Sequence, residues 1–152
     1  MIYSETLNGD NTMGYTNYWT KRSKKKISPA IIGQVNKILA TFEQQSGEKV
    51  VKGFFHRDKA PTVTDTLIHF NVNKEDTGED FYIDFKDGDS EFCKTGREPY
   101  DAAVKAVLMV LQSAGYLEEW HFDGSICDDE YSDAMKLLSS AGIKYTEKMQ
   151  AR

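Results

Sequence analysis

The chain has 152 residues, of which 39% are hydrophobic and 28% charged, and its formal net charge is −5. This length and composition predict one globular domain over residues 1–152 and exclude a disordered chain. The negative charge argues against a protein that coats nucleic acid. The sequence contains no apolar run long enough to span a membrane and no hydrophobic signal segment, so we expect a cytoplasmic location without membrane contact.

The N-terminal residues 1–12 contain a turn-forming Asn-Gly-Asp-Asn cluster and are expected to form an arm or extension. Residues 14–20 are dense in aromatic and β-branched side chains, which predicts a strand, and the basic run over 21–26 is typical of solvated surface. The pair Ser28-Pro29 suits a helix start, and apolar residues at helical spacing predict a helix over 29–45.

The rest of the chain predicts strands and two further helices. Two extended segments alternate apolar and polar residues, so each should bury one face, and Asp87-Gly88 predicts a hairpin turn. Short connections favour antiparallel neighbours, which predicts an α+β fold: a mostly antiparallel sheet (meander) with about three helices packed on one face. The predicted ranges are strands over 49–56, 65–73, 79–86 and 91–95, a helix from Pro99 to Gly115, a strand over 116–122, a helix from Asp128 or Asp129 to Gly142, and a short strand over 143–146.

Several catalytic motifs can be excluded. No glycine begins a phosphate loop or a dinucleotide fingerprint. The spacing from Cys93 to Arg97 is too short for a thiolate phosphatase loop, and none of the three histidines is followed by the hydroxyl of a two-histidine phosphoesterase. We therefore assign no catalytic residue, no cofactor and no metal, and favour a protein that is not an enzyme.

The strongest candidate for ligand binding is the turn before the helix predicted at Pro99. It carries Lys94, Thr95 and Arg97, and helix N-termini expose unpaired amides that attract anions. Arginine adds a bidentate donor suited to phosphate or carboxylate. The alternative is a structural connection in which Arg97 pairs with a nearby acid.

Four more side chains could complete a pocket. His69 and Asn71 share the less apolar face of a predicted strand and could hydrogen-bond a base or ribose, although a half-covered sheet face would also explain them. Tyr18 and Trp19 lie beside the basic run and could stack on a base. Nucleic-acid binding is the less favoured interpretation, because alternation must bury some of these rings.

Two segments carry a resemblance to a known family. Residues 13–19, Met-Gly-Tyr-Thr-Asn-Tyr-Trp, resemble the opening Met-Gly-Tyr-Thr-His-Tyr-Trp of a family of small phage and bacterial proteins. The segment 68–71 and the segment 91–101, with its Phe-Cys-Lys-Thr and Pro-Tyr-Asp elements, are similar to later parts of that family. Asn17 stands where the family has histidine, which weakens any acid–base or metal role at that position.

The resemblance implies a phage context, with the host cytoplasm as the compartment. By analogy with other small phage proteins, the leading hypothesis is an anti-defence protein that sequesters a phosphorylated nucleotide-like immune signal without cleaving it. Two alternatives stay open: a direct inhibitor of a host defence protein, and a phosphodiesterase-type enzyme that degrades such signals. A homo-oligomer is also compatible with the sequence.

Overall fold

The computed structural model describes residues 14–22, 26–86 and 89–145. Three helices and antiparallel strands form within these ranges, which confirms the predicted α+β class. In chain order the elements are β1 (Thr16–Lys21), α1 (Pro29–Ser46), β2 (Val50–Val51), β3 (Thr62–Val63), β4 (Leu67–Val72), β5 (Phe81–Asp84), β6 (Ser90–Lys94), α2 (Asp101–Ser113), β7 (Leu117–Phe122) and α3 (Asp129–Ser140).

The strands form two antiparallel sheets. In the first, β1 lies between β6 and β7, so Tyr18 stands opposite Phe92 on one side and His121 on the other. In the second, β4 pairs with β2, β3 and β5, and His69 stands between Thr62 and Tyr82. The first sheet is not a sequential meander, because α1 separates β1 from the next strand and β1 pairs with later strands instead.

The helices pack together with α2 at the centre. Ten of the thirteen residues of α2 are buried, as expected for a helix surrounded by other elements. The start of α1 follows the predicted capping: Ser28 Oγ accepts a hydrogen bond from the amide of Ile31, and Pro29 occupies the first turn. Gly47 ends α1 in the left-handed conformation, with φ of 77°.

Two predicted boundaries are wrong for local reasons, and one predicted strand is not formed over its described residues. The strand over 49–56 stops at Val51, because a tight turn follows in which the amide of His56 donates to the carbonyl of Gly53 at 3.0 Å. Helix α2 begins at Asp101 rather than Pro99, since the preceding residues form hydrogen-bonded turns. Residues 143–145 form no strand.

Some predictions fall outside the described residues. These are the arm over 1–12, the hairpin turn at Asp87-Gly88, Lys24 and Lys25 of the basic run, and Thr146.

Lys21 departs from the expectation of a solvated basic run. Its side chain is buried, and its ammonium donates to the carbonyl of Asp84 at 2.8 Å and to Glu91 at 3.1 Å. Lys21 therefore joins β1 of the first sheet to β5 of the second.

Candidate functional site

The turn predicted to bind an anion delivers Thr95 into the core instead. Thr95 is fully buried and its hydroxyl donates to Asp101 Oδ1 at 2.6 Å. Asp101 opens α2, so its carboxylate already supplies the negative charge that a helix N-terminus favours. A phosphate placed here would meet that carboxylate, which makes the turn a poor anion site.

Thr95 and Asp101 belong to a buried network that also contains Asn17 and Lys105. Asn17 donates from Nδ2 to Asp101 Oδ1 at 2.8 Å. The ammonium of Lys105 donates to Asp101 Oδ2 at 2.8 Å and to Asn17 Oδ1 at 3.0 Å. None of the four side chains is more than 1% exposed. Such a hydrogen-bonded arrangement favours a structural role, because its polar atoms satisfy one another.

Two aromatic rings enclose the ammonium of Lys105. It lies 4.4 Å from the ring centroid of Tyr15 and 4.2 Å from that of Phe122, within cation–π distance. Burial lowers the pKa of Lys105, although the adjacent Asp101 carboxylate opposes that shift. With no exposed surface, this ammonium cannot reach a ligand in solution.

Arg97 is committed to intramolecular contacts. Its guanidinium pairs with Glu130 at 2.9 Å and lies 4.2 Å from the ring centroid of Tyr15. Its backbone adopts φ of 62°, a left-handed conformation that L-residues rarely take. This matches the alternative prediction, in which Arg97 pairs with an acid.

His69 and Asn71 lie together, as predicted, but both face Asp80. His69 Nε2 lies 2.8 Å from Asp80 Oδ2, and Asn71 donates from Nδ2 to Asp80 Oδ1 at 2.8 Å. Burial opposes ionisation of Asp80, but hydrogen bonds from His69, Asn71 and the amide of Phe54 outweigh it and lower the pKa of this carboxyl. Asn71 is itself buried, and its side-chain oxygen accepts from the Thr77 hydroxyl at 2.9 Å.

Tyr18 and Trp19 point to opposite faces of their sheet. Trp19 is 1% exposed and its ring centroid lies 5.2 Å from that of Phe81, so it belongs to the core. Tyr18 is half-buried on the other face, where its ring stacks on His121. Because successive side chains on a strand alternate, the two rings cannot both stack on one ligand.

Lys94 borders a groove with a volume of about 770 Å³, the size of a typical ligand pocket. We call this the acidic groove. Its lining carries five carboxylates and, as its one basic side chain, Lys94, which leaves a formal charge of −4. The lining residues are Phe54, Phe55, Glu75, Asp76, Thr77, Gly78, Glu79, Asp80, Lys94, Thr95, Gly96 and Glu98.

Two exposed aromatic side chains form part of the groove wall. Phe55 is 87% exposed and Phe54 is 36% exposed, and their rings meet edge to face with centroids 5.1 Å apart. The amide of Phe54 donates to Asp80 Oδ1 at 2.8 Å, which ties this turn to the acidic segment opposite. This hydrogen bond fixes the backbone of the turn that presents the two rings.

Two glycines allow the groove walls to approach each other. A side chain at Gly53 would place its Cβ within 3.0 Å of His69 Nε2, and closer still to Asp80 Oδ2. A Cβ at Gly78 would lie 2.6 Å from the Tyr100 hydroxyl and 2.7 Å from the carbonyl of Lys94. Any larger residue would push the segments apart.

Four of the seven residues predicted to bind a ligand lie in or behind the acidic groove, namely Lys94, Thr95, His69 and Asn71. The other three, Arg97, Tyr18 and Trp19, lie elsewhere. Phe54, Phe55 and the carboxylates were missed. The sequence did contain a signal for them. Four acidic residues lie within positions 75–80, and two adjacent phenylalanines in a predicted strand cannot both face the core, so one of them should be exposed.

The chemistry available at the groove is limited. His69 oriented by Asp80 has the arrangement of a potential general base. The nearby thiol of Cys93 is fully buried, and burial raises its pKa well above the usual value, so it is a poor nucleophile. Among the described residues, no group of three or more potential ligands is arranged to hold a metal ion.

Comparisons with protein-family models, with curated proteins and with solved structures found no match. The function must therefore be argued from the geometry of this chain. Over the described ranges, no helix has both the length and the apolar character needed to cross a membrane.

Proposed function

We propose that this protein acts by binding rather than catalysis, and that its acidic groove holds a basic segment of a partner polypeptide. The observation that carries the proposal is the combination of Phe55, 87% exposed at the groove wall, with a lining of five carboxylates and one lysine. Exposed apolar surface next to a charged rim is typical of interaction sites.

Charge complementarity supports a cationic partner. Glu75 and Asp76 are exposed, so they can meet lysine or arginine side chains without a large desolvation cost. Glu98 is already paired with Lys74 at 2.8 Å and contributes less. A phosphorylated ligand would be repelled by the same lining, so the groove offers no support for capture of a nucleotide-like signal, which stays a prediction.

The aromatic pair supports a polypeptide with an apolar anchor. Phenylalanine side chains supply large contact areas at interfaces, and a preformed site loses little entropy on binding. Phe54 and Phe55 are presented on a turn fixed by Asp80. This arrangement agrees with the alternative of an inhibitor that binds a protein directly, and the phage context implied by the sequence resemblance would make that protein a host component.

The test is selection of a displayed random 12-residue peptide library on the immobilised protein, followed by affinity measurements on the enriched peptides. We expect sequences rich in lysine or arginine with an aromatic or aliphatic residue. Their affinity should fall at least about tenfold in Phe55→Ala, as for an interface hot spot. The double variant with Glu75→Lys and Asp76→Lys should bind these peptides more weakly than Phe55→Ala does. Added salt should weaken peptide binding by the parent protein, because salt screens the attraction between opposite charges.

Phe92→Ala is the matched control, because Phe92 is also an exposed phenylalanine but lies outside the groove. It should leave peptide affinity unchanged. Enrichment of acidic peptides, or equal affinity for the parent and Phe55→Ala, would refute the proposal. The proposal would also be contradicted if the parent protein depleted cyclic dinucleotides from solution and the variant with Glu75→Lys and Asp76→Lys did not.

A further inference from the structure

The face of the first sheet that points away from the helices carries a second cluster, independent of the acidic groove. Strand register places Tyr18, Phe92 and His121 in one row and Thr20, Ser90 and Glu119 in the next. We call these six residues the outer face. Phe92 is 59% exposed, and the side chain of His121 is 57% exposed.

The aromatic row offers stacking surfaces across all three strands. The rings of Tyr18 and His121 are stacked, with centroids 5.0 Å apart and planes 19° apart. Phe92 lies on the opposite side of Tyr18, with centroids 6.5 Å apart and planes tilted by 51°. Because Phe92 and Tyr18 are not parallel, neither ring face is fully used by the other, and a planar ligand can stack there.

A pocket of about 290 Å³ lies against these rings, near the lower end of the size range of ligand sites. Its lining consists of Tyr18, Trp19, Thr20, Ser90, Glu91, Phe92, Glu119 and His121. A pocket of this size suits one small molecule rather than a polypeptide segment.

The polar groups of the pocket define the ligand further. Glu119 is an acceptor and Thr20 and Ser90 contribute hydroxyls, whereas Glu91 is already paired with Lys21 at 3.1 Å. No lysine or arginine belongs to the lining. A phosphate would meet the carboxylate of Glu119, whereas amino groups and ribose hydroxyls can donate to it. A plain hydrocarbon ring would cover these polar groups without bonding them, which is unfavourable.

We propose that the outer face binds a nucleoside with an exocyclic amino group, its base stacked on the aromatic row and its donors directed at Glu119. The phosphate, where a nucleotide carries one, is not recognised in this pocket. Base stacking on aromatic side chains and carboxylate acceptance from amino or ribose donors are sufficient for the weak affinity of such a small ligand.

The experiment is an NMR titration of the isotope-labelled protein with adenosine, uridine, adenosine monophosphate and a short oligoadenylate at millimolar concentrations. Adenosine is expected to shift the signals of Tyr18, Phe92 and His121. Uridine and the monophosphate should bind more weakly, and the oligoadenylate no more tightly than adenosine. Phe92→Ala should weaken adenosine binding by roughly 5- to 150-fold, the range for loss of one stacking contact.

Glu119→Gln should reduce the preference for adenosine over uridine. Phe55→Ala, in the acidic groove, should bind adenosine as the parent does, so this site can fail without affecting the groove proposal. All three substitutions are at exposed residues, so the variants should fold, and their amide spectra check this. Absence of shifts with adenosine, unchanged affinity in Phe92→Ala, or tighter binding of the monophosphate or oligoadenylate would overturn the proposal.

Discussion

The hydroxyl of Thr95 donates to the carboxylate of Asp101 at 2.6 Å, and both side chains are buried. This bond turns a segment that resembles an anion-binding turn into part of the core. Asp101 also receives Asn17 from β1 and Lys105 from the next turn of α2. The segments around residues 17, 95 and 101 therefore converge on one buried network.

Thr95→Val tests the strength of that bond. The substitution keeps the shape but removes the donor, so we expect the free energy of unfolding to fall by about 1–3 kcal/mol. Urea denaturation measures it. Thr20→Val is the control, because the Thr20 hydroxyl bonds to the Ser90 hydroxyl at the surface; it should change stability by about 0.5 kcal/mol or less. Equal losses in the two variants would contradict the network.

Asp101 and Lys105 should show strong energetic coupling. Asp101→Asn leaves the ammonium of Lys105 buried without its carboxylate, which should cost about 3–5 kcal/mol. The double variant with Lys105→Met should lose clearly less than the sum of the two single losses, since no uncompensated charge remains. A double-mutant cycle from denaturant unfolding measures the coupling. Strict additivity would show that the two charges do not depend on each other.

Gly78 should be intolerant of a side chain. A Cβ there would lie 2.6 Å from the Tyr100 hydroxyl and 2.7 Å from two backbone carbonyls, so Gly78→Ala should lower stability by about 1–3 kcal/mol. Gly33 is the matched control in α1, because a Cβ there meets no atom within 4 Å. Gly33→Ala should raise stability by about 0.5–1 kcal/mol through helix propensity. Thermal unfolding of both variants distinguishes them.

Arg97 combines an ion pair with an unfavourable backbone conformation, and two substitutions separate these effects. Both Arg97→Ala and Arg97→Gly remove the contacts with Glu130 and Tyr15. Only alanine keeps the cost of φ near 62°, so the glycine variant should be the more stable by about 1 kcal/mol. Chemical denaturation provides the comparison. An alanine variant as stable as the glycine variant would show that this φ is not retained.

Stability should depend on the ionisation of Asp80 at acidic pH. Its pKa in the folded protein is below the ordinary value of 3.8, so the folded state binds this proton less readily than the unfolded state. The contribution is therefore present above the unfolded pKa and is lost as pH falls through the folded one. Between neutral pH and about pH 3, Asp80→Asn should lose less stability than the parent. If urea unfolding shows that the parent and Asp80→Asn lose the same free energy of unfolding as pH falls, the effect is excluded.

Local sequence patterns predicted the elements that depend on near neighbours. The Ser28-Pro29 start and Gly47 end of α1 rely on contacts within one helical turn, and both are confirmed. Alternation predicted the burial of the apolar faces of β4 and β5, which is also observed, because side-chain direction on a strand follows from backbone geometry alone.

What each polar side chain does was decided by the tertiary structure. Asn17 and Asp101 are 84 positions apart, and Lys21 reaches Asp84 across 63. Rules based on local sequence spacing cannot predict such pairs, since the pairs form only when the sheets and α2 pack together. The sequence alone determined an α+β chain, the ends of α1 and the buried faces of β4 and β5. Packing buried Thr95 against Asp101 and paired the exposed Arg97 with Glu130. Packing also brought Phe54, Phe55 and the acidic segment around one groove, because charge and apolar surface far apart in the chain become neighbours only in the folded state.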